Sequence, residues 1–257
     1  MNTTLIQPAL ADDCTRRRAS HLVLIGNPGT GKSAVARLLA KAYHELGLVT
    51  KPKYLEVERM DLVGTDSQRT ASKVNEVMEE ARGGILFIDE AYTLSMPTKR
   101  SSIERGLDAI NEVIRHISEG DESQDVNRPL IVLAGFPSEM TNFLAAQGSL
   151  RKQFFLSFEL PDYTCKELAQ IFINLSHAKG FELEASLTVE TIAECLDRET
   201  TVEWRAERNG RVCELLLSGA RAEVRKRMRA SQFSEEEVDP QLLLMTDVET
   251  VMENDFK

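Results

Sequence analysis

The chain carries the stretch Gly26-Asn27-Pro28-Gly29-Thr30-Gly31-Lys32-Ser33 between an apolar run at residues 22–25 and a helical pattern of apolar residues at 34–42. This context predicts a strand, a glycine-rich loop and a helix. The N–H groups of such a loop can surround phosphate oxygens, with Lys32 reaching the outer phosphates and the Ser33 hydroxyl binding Mg²⁺. The amino end of the helix adds a positive dipole. We therefore predict a nucleotide site; a glycine loop that only turns the chain is the alternative.

Composition excludes several classes of protein. The 257 residues are 42% hydrophobic and 28% charged, which is typical of a globular protein. A net charge of −10 argues against nucleic acid as a general partner. No apolar run is long enough to span a bilayer, and residues 1–20 lack the apolar segment of a signal peptide. We expect no membrane partner and a cytoplasmic location, or an organelle stroma if a targeting segment precedes the sequence.

Four cysteines, Cys14, Cys165, Cys195 and Cys213, share no short spacing. The spacing predicts neither a zinc site nor a disulfide framework, because both require cysteines that the fold brings together in pairs. Free thiols are expected.

Strands and helical patterns alternate through the first 160 residues. We place the strands at residues 22–25, 54–58, 85–88, 130–134 and 155–160, with helical patterns between the first four strands and an exposed loop at 119–128. This alternation is typical of an α/β fold whose parallel sheet is covered on both faces. We predict a flexible lead-in at residues 1–20 and an α/β nucleotide-binding core at residues 21–161.

After Pro161 every periodic segment is helical, at about residues 164–179, 187–198, 208–230 and 239–254. Residues 162–257 are therefore predicted to form a C-terminal all-helical domain, which we call the lid. The turn at 161–164 carries a helix-capping signal. The basic segment 221–229 is interpreted as a solvated helix face, with a nucleic-acid surface as the alternative.

A second chemical motif follows the apolar run at residues 85–88, where Asp89 and Glu90 end a predicted parallel strand. Ligands of parallel sheets collect at this edge. Asp89 would hold Mg²⁺, and Glu90 would orient or deprotonate the water that attacks the γ-phosphate. An N-cap role for the two acids is the alternative.

Five stretches carry a resemblance to a known family: GNPGTGKSAVARLLAKAYHELGL at 26–48, LEVERMDLVG at 55–64, GGILFIDEAYTL at 83–94, IVLAGFPSEM at 131–140 and FELPDYTCKELAQIF at 158–172. They resemble the AAA+ ATPases of the CbbX/CfxQ and SpoVK type, which include the red-type Rubisco activase. The resemblance implies a P-loop NTPase core with five parallel strands, a helical lid and a hexameric ring. It also implies hydrolysis of ATP with Mg²⁺, coupled to remodelling of a protein client.

The same resemblance assigns a candidate second sensor. Asn209-Gly210-Arg211 is similar to the family's Gly-Asn-Ala-Arg turn, so Arg211 would reach the γ-phosphate from the lid. An exposed arginine at a helix start is the alternative, although a cation at that end opposes the helix dipole.

Three departures from the family separate this sequence from an ordinary threading ATPase. Thr65-Asp66-Ser67-Gln68-Arg69-Thr70 replaces the aromatic pore loop, so the stacking contact with a threaded polypeptide is missing. Gln153 stands where the family's arginine finger is expected, with Arg151 and Lys152 as candidate substitutes. Relatives also carry an upstream helical segment that helps to enclose the adenine, and little sequence precedes the first strand here.

The prediction is thus a Mg-ATP-binding ATPase that remodels a protein partner, with Rubisco as one candidate, in a homo- or hetero-oligomeric ring. The alternative is a hydrolysis-poor ATP switch or scaffold acting beside an active homologue. A nucleic-acid motor is a third reading, and the acidic composition argues against it.

Overall fold

The computed structural model describes residues 20–96, 100–122, 125–231 and 239–256. The predicted flexible lead-in lies outside the described residues except for Ser20, and Cys14 lies outside them too.

The core is a five-stranded sheet in the order β2-β3-β4-β1-β5, and all of its pairings are parallel. The strands are β1 (Leu22–Ile25), β2 (Tyr54–Val57), β3 (Ile85–Ile88), β4 (Leu130–Gly135) and β5 (Leu156–Glu159). In register, Leu22 of β1 lies between Val132 of β4 and Leu156 of β5. The predicted parallel sheet is confirmed.

Among the described residues of the core, six helices and one 3₁₀ segment connect these strands. They are α1 (Lys32–Glu45), α2 (Arg59–Leu62), α3 (Ser67–Glu80), the 3₁₀ segment Ala91–Ser95, α4 (Arg100–Glu122), α5 (Pro137–Ala146) and α6 (Gly148–Gln153). The apolar pattern of α4 ends at Ile117, but the helix continues to Glu122, into the first residues of the predicted exposed loop. An ion pair at 2.5 Å between Arg115 and Glu119, one helical turn apart, stabilises this last part.

Alternate residues of the central strands enter two separate hydrophobic cores. On β3, Ile85 and Phe87 pack with α1 on one face, whereas Leu86 and Ile88 pack with α3 and α4 on the other. Side chains of a strand point to opposite faces in turn, so a run that is apolar throughout buries both. The sheet therefore has the two covered faces that its sequence predicts.

Where the structure describes it, the C-terminal region is helical apart from one short pair of strands. Its helices are α7 (Cys165–Ala178), α8 (Val189–Glu199), α9 (Val202–Ala206), α10 (Arg211–Ser231) and α11 (Met245–Asp255), and its strands are β6 (Glu182–Leu183) and β7 (Leu242–Leu243). The last helix begins at Met245 rather than near residue 239, because Leu242 and Leu243 pair with β6. A third hydrophobic cluster consists of residues between 163 and 256.

Capping residues determine where α7, the first helix of the lid, begins. Thr164 caps α7 by accepting from the Glu167 N–H at 3.3 Å, and the Glu167 carboxylate accepts from the Thr164 N–H at 2.8 Å. This reciprocal capping box is the arrangement that the sequence signal at residues 161–164 predicts.

The basic segment of α10 is mostly solvated, with one exception. Arg227 forms an ion pair at 2.7 Å with the buried carboxylate of Asp247 and donates to the Leu242 carbonyl. It therefore ties α10 to β7 and α11.

The sequence predicts no membrane-spanning segment, and neither a zinc site nor a disulfide framework. Within residues 20–96, 100–122, 125–231 and 239–256, no helix is long and apolar enough to cross a membrane. Cys165, Cys195 and Cys213 are free thiols, and no described cluster of acids, histidines and cysteines has a metal-binding arrangement.

Candidate active site between the glycine-rich loop and the lid

The glycine-rich loop connects the carboxyl end of β1 to α1, at the edge where ligands of parallel sheets bind. Gly29 and Gly31 have φ angles of 76° and 90°, a region that glycine occupies without steric cost. A Cβ on Gly26 would lie 2.7 Å from the Leu160 carbonyl oxygen. The loop therefore needs its glycines for both conformation and close approach.

A cavity of about 470 Å³ lies beside this loop. Its walls bring together residues that are far apart in the sequence, from the loop, the ends of β3 and β4, and the lid: Pro28, Gly29, Gly31, Lys32, Ser33, Asp89, Glu90, Phe136, Tyr163, Gly210, Arg211 and Glu214. Asn27 and Thr30 do not line the cavity but brace the loop. The Asn27 amide donates to the Asp162 carboxylate at 3.0 Å, and the Thr30 hydroxyl donates to the Asn27 carbonyl at 2.8 Å.

Lys32 is 9% exposed, and its ammonium donates to the carbonyls of Gly26 at 2.8 Å and Asn27 at 2.9 Å. Burial lowers the pKa of this ammonium; the charge of Asp89 opposes that effect, and the charge of Arg211 adds to it. Its nitrogen also lies 5.5 Å from the centre of the Phe136 ring. A buried cation held by backbone carbonyls beside an open cavity can exchange those weak partners for an anion.

Asp89 and Glu90 stand at the end of β3, as predicted. One Asp89 carboxylate oxygen accepts from the Glu90 N–H at 2.9 Å. Glu90 has a φ of 45°, which is uncommon for a residue other than glycine and is often found at functional sites. Glu90 occupies the N-cap position of the 3₁₀ segment, yet its side chain makes no capping hydrogen bond. The exposed carboxylate is therefore not explained by helix capping.

Arg211 is the first residue of α10, and it lies on the lid side of the cavity that Lys32 lines from the loop side. Glu214, one helical turn later, lines the same cavity. The positive charge of Arg211 is close enough to contribute to the lowered pKa of Lys32. The structure thus brings the two cations to opposite walls of one site.

Several site residues were not predicted from the sequence. Phe136 follows β4 and stacks with Tyr92 at 5.6 Å between ring centres, while Asp162, Tyr163 and Asn209 connect the lid to the loop by hydrogen bonds. The turn at 161–164 and the Asn209-Gly210 pair were the available signals, but nothing in their spacing indicates contact with residues 27–30.

The two segments that depart from the family lie away from this cavity. Asp66 caps α3 by accepting from the Arg69 N–H at 2.8 Å, so the position expected to be aromatic serves as a helix cap. Gln153 ends α6 and is half-buried, whereas Arg151 and Lys152 are exposed. We call residues 65–70 and 150–154 the two outer segments.

A family model described as "ATPase family associated with various cellular activities (AAA)" matches residues 22–157. The chain belongs to the AAA ATPase family. This family of ATP hydrolases is the one that the glycine-rich loop and the Asp89-Glu90 pair predict. A second model, described as a domain of unknown function (DUF8495), matches residues 162–254.

Curated relatives agree with the predicted CbbX and SpoVK type. Stage V sporulation protein K of Bacillus subtilis is 35% identical over 167 residues, which are 65% of this AAA chain and 49% of that protein. Protein CbbX of Cereibacter sphaeroides is 39% identical over 163 residues, 63% of this chain and 50% of that protein. The ESX-3 secretion system protein EccA3 of Mycolicibacterium smegmatis is 34% identical over 72% of this chain and 30% of its own length. The matched part thus spans half or less of these relatives.

Solved structures support the fold. The FIGL-1 AAA domain has a TM-score of 0.62 at 16% identity, covering 91% of this chain and 70% of that one. A second structure of the same domain, in complex with ADP, has a TM-score of 0.62 at 17% identity and covers 93% of this chain and 72% of that one. At these identities the likeness shows the AAA fold and nothing finer.

Proposed function

We propose that this AAA chain binds Mg-ATP in the cavity between loop and lid, and couples ATP hydrolysis to remodelling of a protein client in an oligomeric ring. The observation that carries the proposal is the convergence of Lys32, Ser33, Asp89, Glu90 and Arg211 on that one cavity. Phosphoryl transfer depends mainly on positioning and electrostatic stabilisation, and these are the residue types it uses.

Each residue has a role in this proposal. Lys32 and the N–H groups of the loop bind the outer phosphates, and Arg211 binds them from the lid, so that the lid angle follows the nucleotide state. Glu90 orients the attacking water and accepts its proton. These are the side chains that the cavity presents, and none is committed to a strong side-chain ion pair among the described residues.

The donor set also fits a magnesium ion. Ser33 and Asp89 both line the cavity, and a hydroxyl with a carboxylate supplies the hard oxygen ligands that Mg²⁺ prefers. Asp89 uses one carboxylate oxygen for the Glu90 N–H, which leaves the other for an ion or its water shell. When bound, the ion would neutralise charge on the phosphate oxygens during transfer.

Replacement of Glu90 by glutamine tests this assignment. Glu90→Gln keeps the shape of the side chain and removes the base, so we expect Mg-ATP affinity within about threefold of the parent and kcat lowered at least about 100-fold. Calorimetric titration and steady-state turnover measure the two quantities. The control is Glu45→Gln, at an exposed glutamate that ends α1. Unchanged turnover in Glu90→Gln would remove the water-activating role.

A second candidate function is a hydrolysis-poor ATP switch or scaffold subunit within a mixed ring. The outer segments favour it, because Asp66 caps a helix and Gln153 cannot offer a guanidinium to a neighbour's nucleotide. Mass measurement in solution with and without ATP, and with a homologous AAA subunit, separates the two functions when ATP turnover is measured on the same samples. A lone chain that turns over ATP and assembles by itself favours the enzyme; turnover only beside the homologue favours the scaffold.

The client is a protein in both readings, and Rubisco is one candidate because of the similarity to CbbX. An activity that depends on nucleic acid would contradict both.

A further inference from the structure

Three successive carbonyl groups of the glycine-rich loop accept hydrogen bonds from the lid. The Asn209 amide donates to the Pro28 carbonyl at 3.1 Å, the Gly210 N–H donates to the Gly29 carbonyl at 3.0 Å, and the Tyr163 hydroxyl donates to the Thr30 carbonyl at 3.0 Å. The donors come from two places in the lid sequence, 46 residues apart. We call this set of three bonds the carbonyl clamp.

The clamp determines where the loop's N–H groups point. In a planar trans peptide the C=O and the N–H of the next residue point to opposite sides, so a carbonyl held by a lid donor directs the next N–H away from that donor. The Pro28 and Thr30 carbonyls thereby set the directions of the Gly29 and Gly31 N–H groups. Neither N–H donates to an acceptor within the described residues, and both glycines line the cavity.

Asn209 is the centre of the clamp. It is 1% exposed and has a φ of 46°, a conformation that asparagine tolerates better than most residues. Its amide nitrogen carries two hydrogens and lies within hydrogen-bond distance of three acceptors, so the hydrogens are shared between the Pro28 carbonyl, the Asp162 carboxylate at 2.9 Å and the Ala206 carbonyl at 2.8 Å. Its amide oxygen accepts from the Tyr163 N–H at 2.9 Å. One buried side chain therefore holds the turn before α7, the turn before α10 and the loop together.

The backbones of the loop and the lid also approach each other closely. A Cβ on Gly29 would lie 2.1 Å from the Arg208 carbonyl oxygen, so a larger residue there would separate the two. The Asn27 amide binds the Asp162 carboxylate on both oxygens at 3.0 Å, which adds a bond from the loop to the turn before the lid. Lid residues thus hold the loop in addition to the conformations of its own glycines.

We propose that Asn209 and Tyr163 are positioning residues for phosphate binding: from the lid, they orient the loop peptides so that the Gly29 and Gly31 N–H groups face the phosphates of ATP or ADP. This inference rests on the proposed function, because it assumes that the cavity binds a nucleotide. It gives the lid a role in nucleotide affinity that is separate from the proposed contact of Arg211.

The sharpest test is Tyr163→Phe, which keeps the ring and removes only the donor to the Thr30 carbonyl. We expect the Kd values for Mg-ATP and for ADP to rise together by about fivefold, the size of one hydrogen bond. The kcat at saturating ATP should stay within about twofold, because no group that touches the reacting atoms has changed. Asn209→Asp removes the donor to the Pro28 carbonyl and places a carboxylate beside Asp162, so its Kd values should rise by about tenfold or more.

Tyr43→Phe is the matched control, since Tyr43 is a half-buried tyrosine on α1 that packs against the sheet rather than the lid. Calorimetry gives the Kd values, turnover gives kcat, and thermal melting without nucleotide reports the structure. Raised Kd values with retained kcat, and melting like that of the control, support the proposal.

Two results overturn it. Nucleotide affinity in Tyr163→Phe equal to that of the control would leave the clamp without effect on binding. A raised Kd accompanied by a melting temperature well below that of the control would assign Tyr163 a merely structural role. If the parent chain itself binds neither Mg-ATP nor ADP, the proposed function fails, and that outcome is distinct from a failure of the clamp alone.

Discussion

The carboxyl edge of the sheet, where the proposed nucleotide site lies, has the residues expected of an AAA ATPase, whereas the two outer segments do not. We call this edge the nucleotide edge. At the nucleotide edge, Lys32, Ser33, Asp89 and Glu90 stand at one cavity. In the outer segments at residues 65–70 and 150–154, the expected aromatic is a helix-capping Asp66 and the expected arginine is Gln153.

One fold can therefore keep the residues for nucleotide binding while those expected for threading and for hydrolysis in trans are replaced. A phosphate site needs a few groups within one chain, whereas threading and hydrolysis in trans need side chains that reach other proteins. The outer segments retain ordinary structural roles, since Asp66 caps α3 and Phe154 packs in the core. They are therefore compatible with a folded subunit whose contacts to neighbours differ from those of its relatives.

The largest expected effect comes from Lys32→Ala. It removes the one ammonium at the loop, so we expect Mg-ATP affinity to fall at least about 100-fold, because a charge-assisted contact to phosphate is lost in a low-dielectric site. Isothermal titration measures it, with Lys41→Ala, at an exposed lysine on the same helix, as the control. Affinity within about threefold of the parent would contradict a Mg-ATP site at this edge of the sheet.

A smaller effect is expected when the missing guanidinium is restored. In Gln153→Arg, kcat for ATP should rise about tenfold at protein concentrations where the chain assembles and stay unchanged in dilute monomer, because the new charge acts on a neighbour's nucleotide. Gln153→Met serves as the uncharged control. A rise that is independent of protein concentration, or no rise in an assembled sample, would contradict an incomplete site between subunits.

The smallest effect concerns His21, which packs against Phe154 of the second outer segment. His21 is 4% exposed, accepts from the Ile131 N–H at 2.9 Å and packs 5.5 Å from the Phe154 ring. Burial, followed by the nearby positive charge of Arg128, lowers the pKa of His21 to about 3. The unfolded chain then binds a proton below about pH 6.5 that the folded chain does not, so the free energy of unfolding falls as the pH drops through that window.

His21→Asn keeps an acceptor for the Ile131 N–H and removes this titration. Between pH 6.5 and 5.5 the parent should lose about 1 kcal/mol more stability than the variant, measured by urea denaturation at each pH. Parallel pH profiles for the two proteins would show that His21 is not buried in its neutral form. The nucleotide affinity of the variant at pH 7.5 should match that of the parent, because His21 lies outside the cavity.

Most of the core could be predicted from the sequence because its strands bury both faces. The bounds of β1 and β3 agree with the prediction, since each is a short run of apolar residues that ends at a loop with chemical signals. The short helices α2, α6 and α9 were not predicted, because four to six residues are too few for a periodic pattern. The ten-residue helix α5 was not predicted either, because it buries only Met140 and Phe143. The pairing of β6 with β7 depends on residues about 60 apart and leaves no local signal.

The residues of the candidate site also differ in whether the sequence alone could predict them. Lys32, Ser33, Asp89 and Glu90 could be placed from local sequence, because a glycine loop and the end of an apolar strand fix them. Tyr163 and Asn209 could not, because their role comes from contacts with residues 28 and 30, across more than 130 positions of the chain. The domain division at residue 161 remains a prediction, although the third hydrophobic cluster contains only residues beyond it.

The environment of Trp204, the chain's one tryptophan, has a practical consequence. The Arg208 guanidinium lies 4.5 Å from the centre of the indole ring, and the carbonyl oxygen of the same arginine would lie 2.1 Å from a Cβ on Gly29. A movement of the lid turn that displaces Arg208 relative to Trp204 would change the charge next to an intrinsic fluorophore. Unlabelled protein therefore carries its own optical probe of the lid turn that packs against the loop.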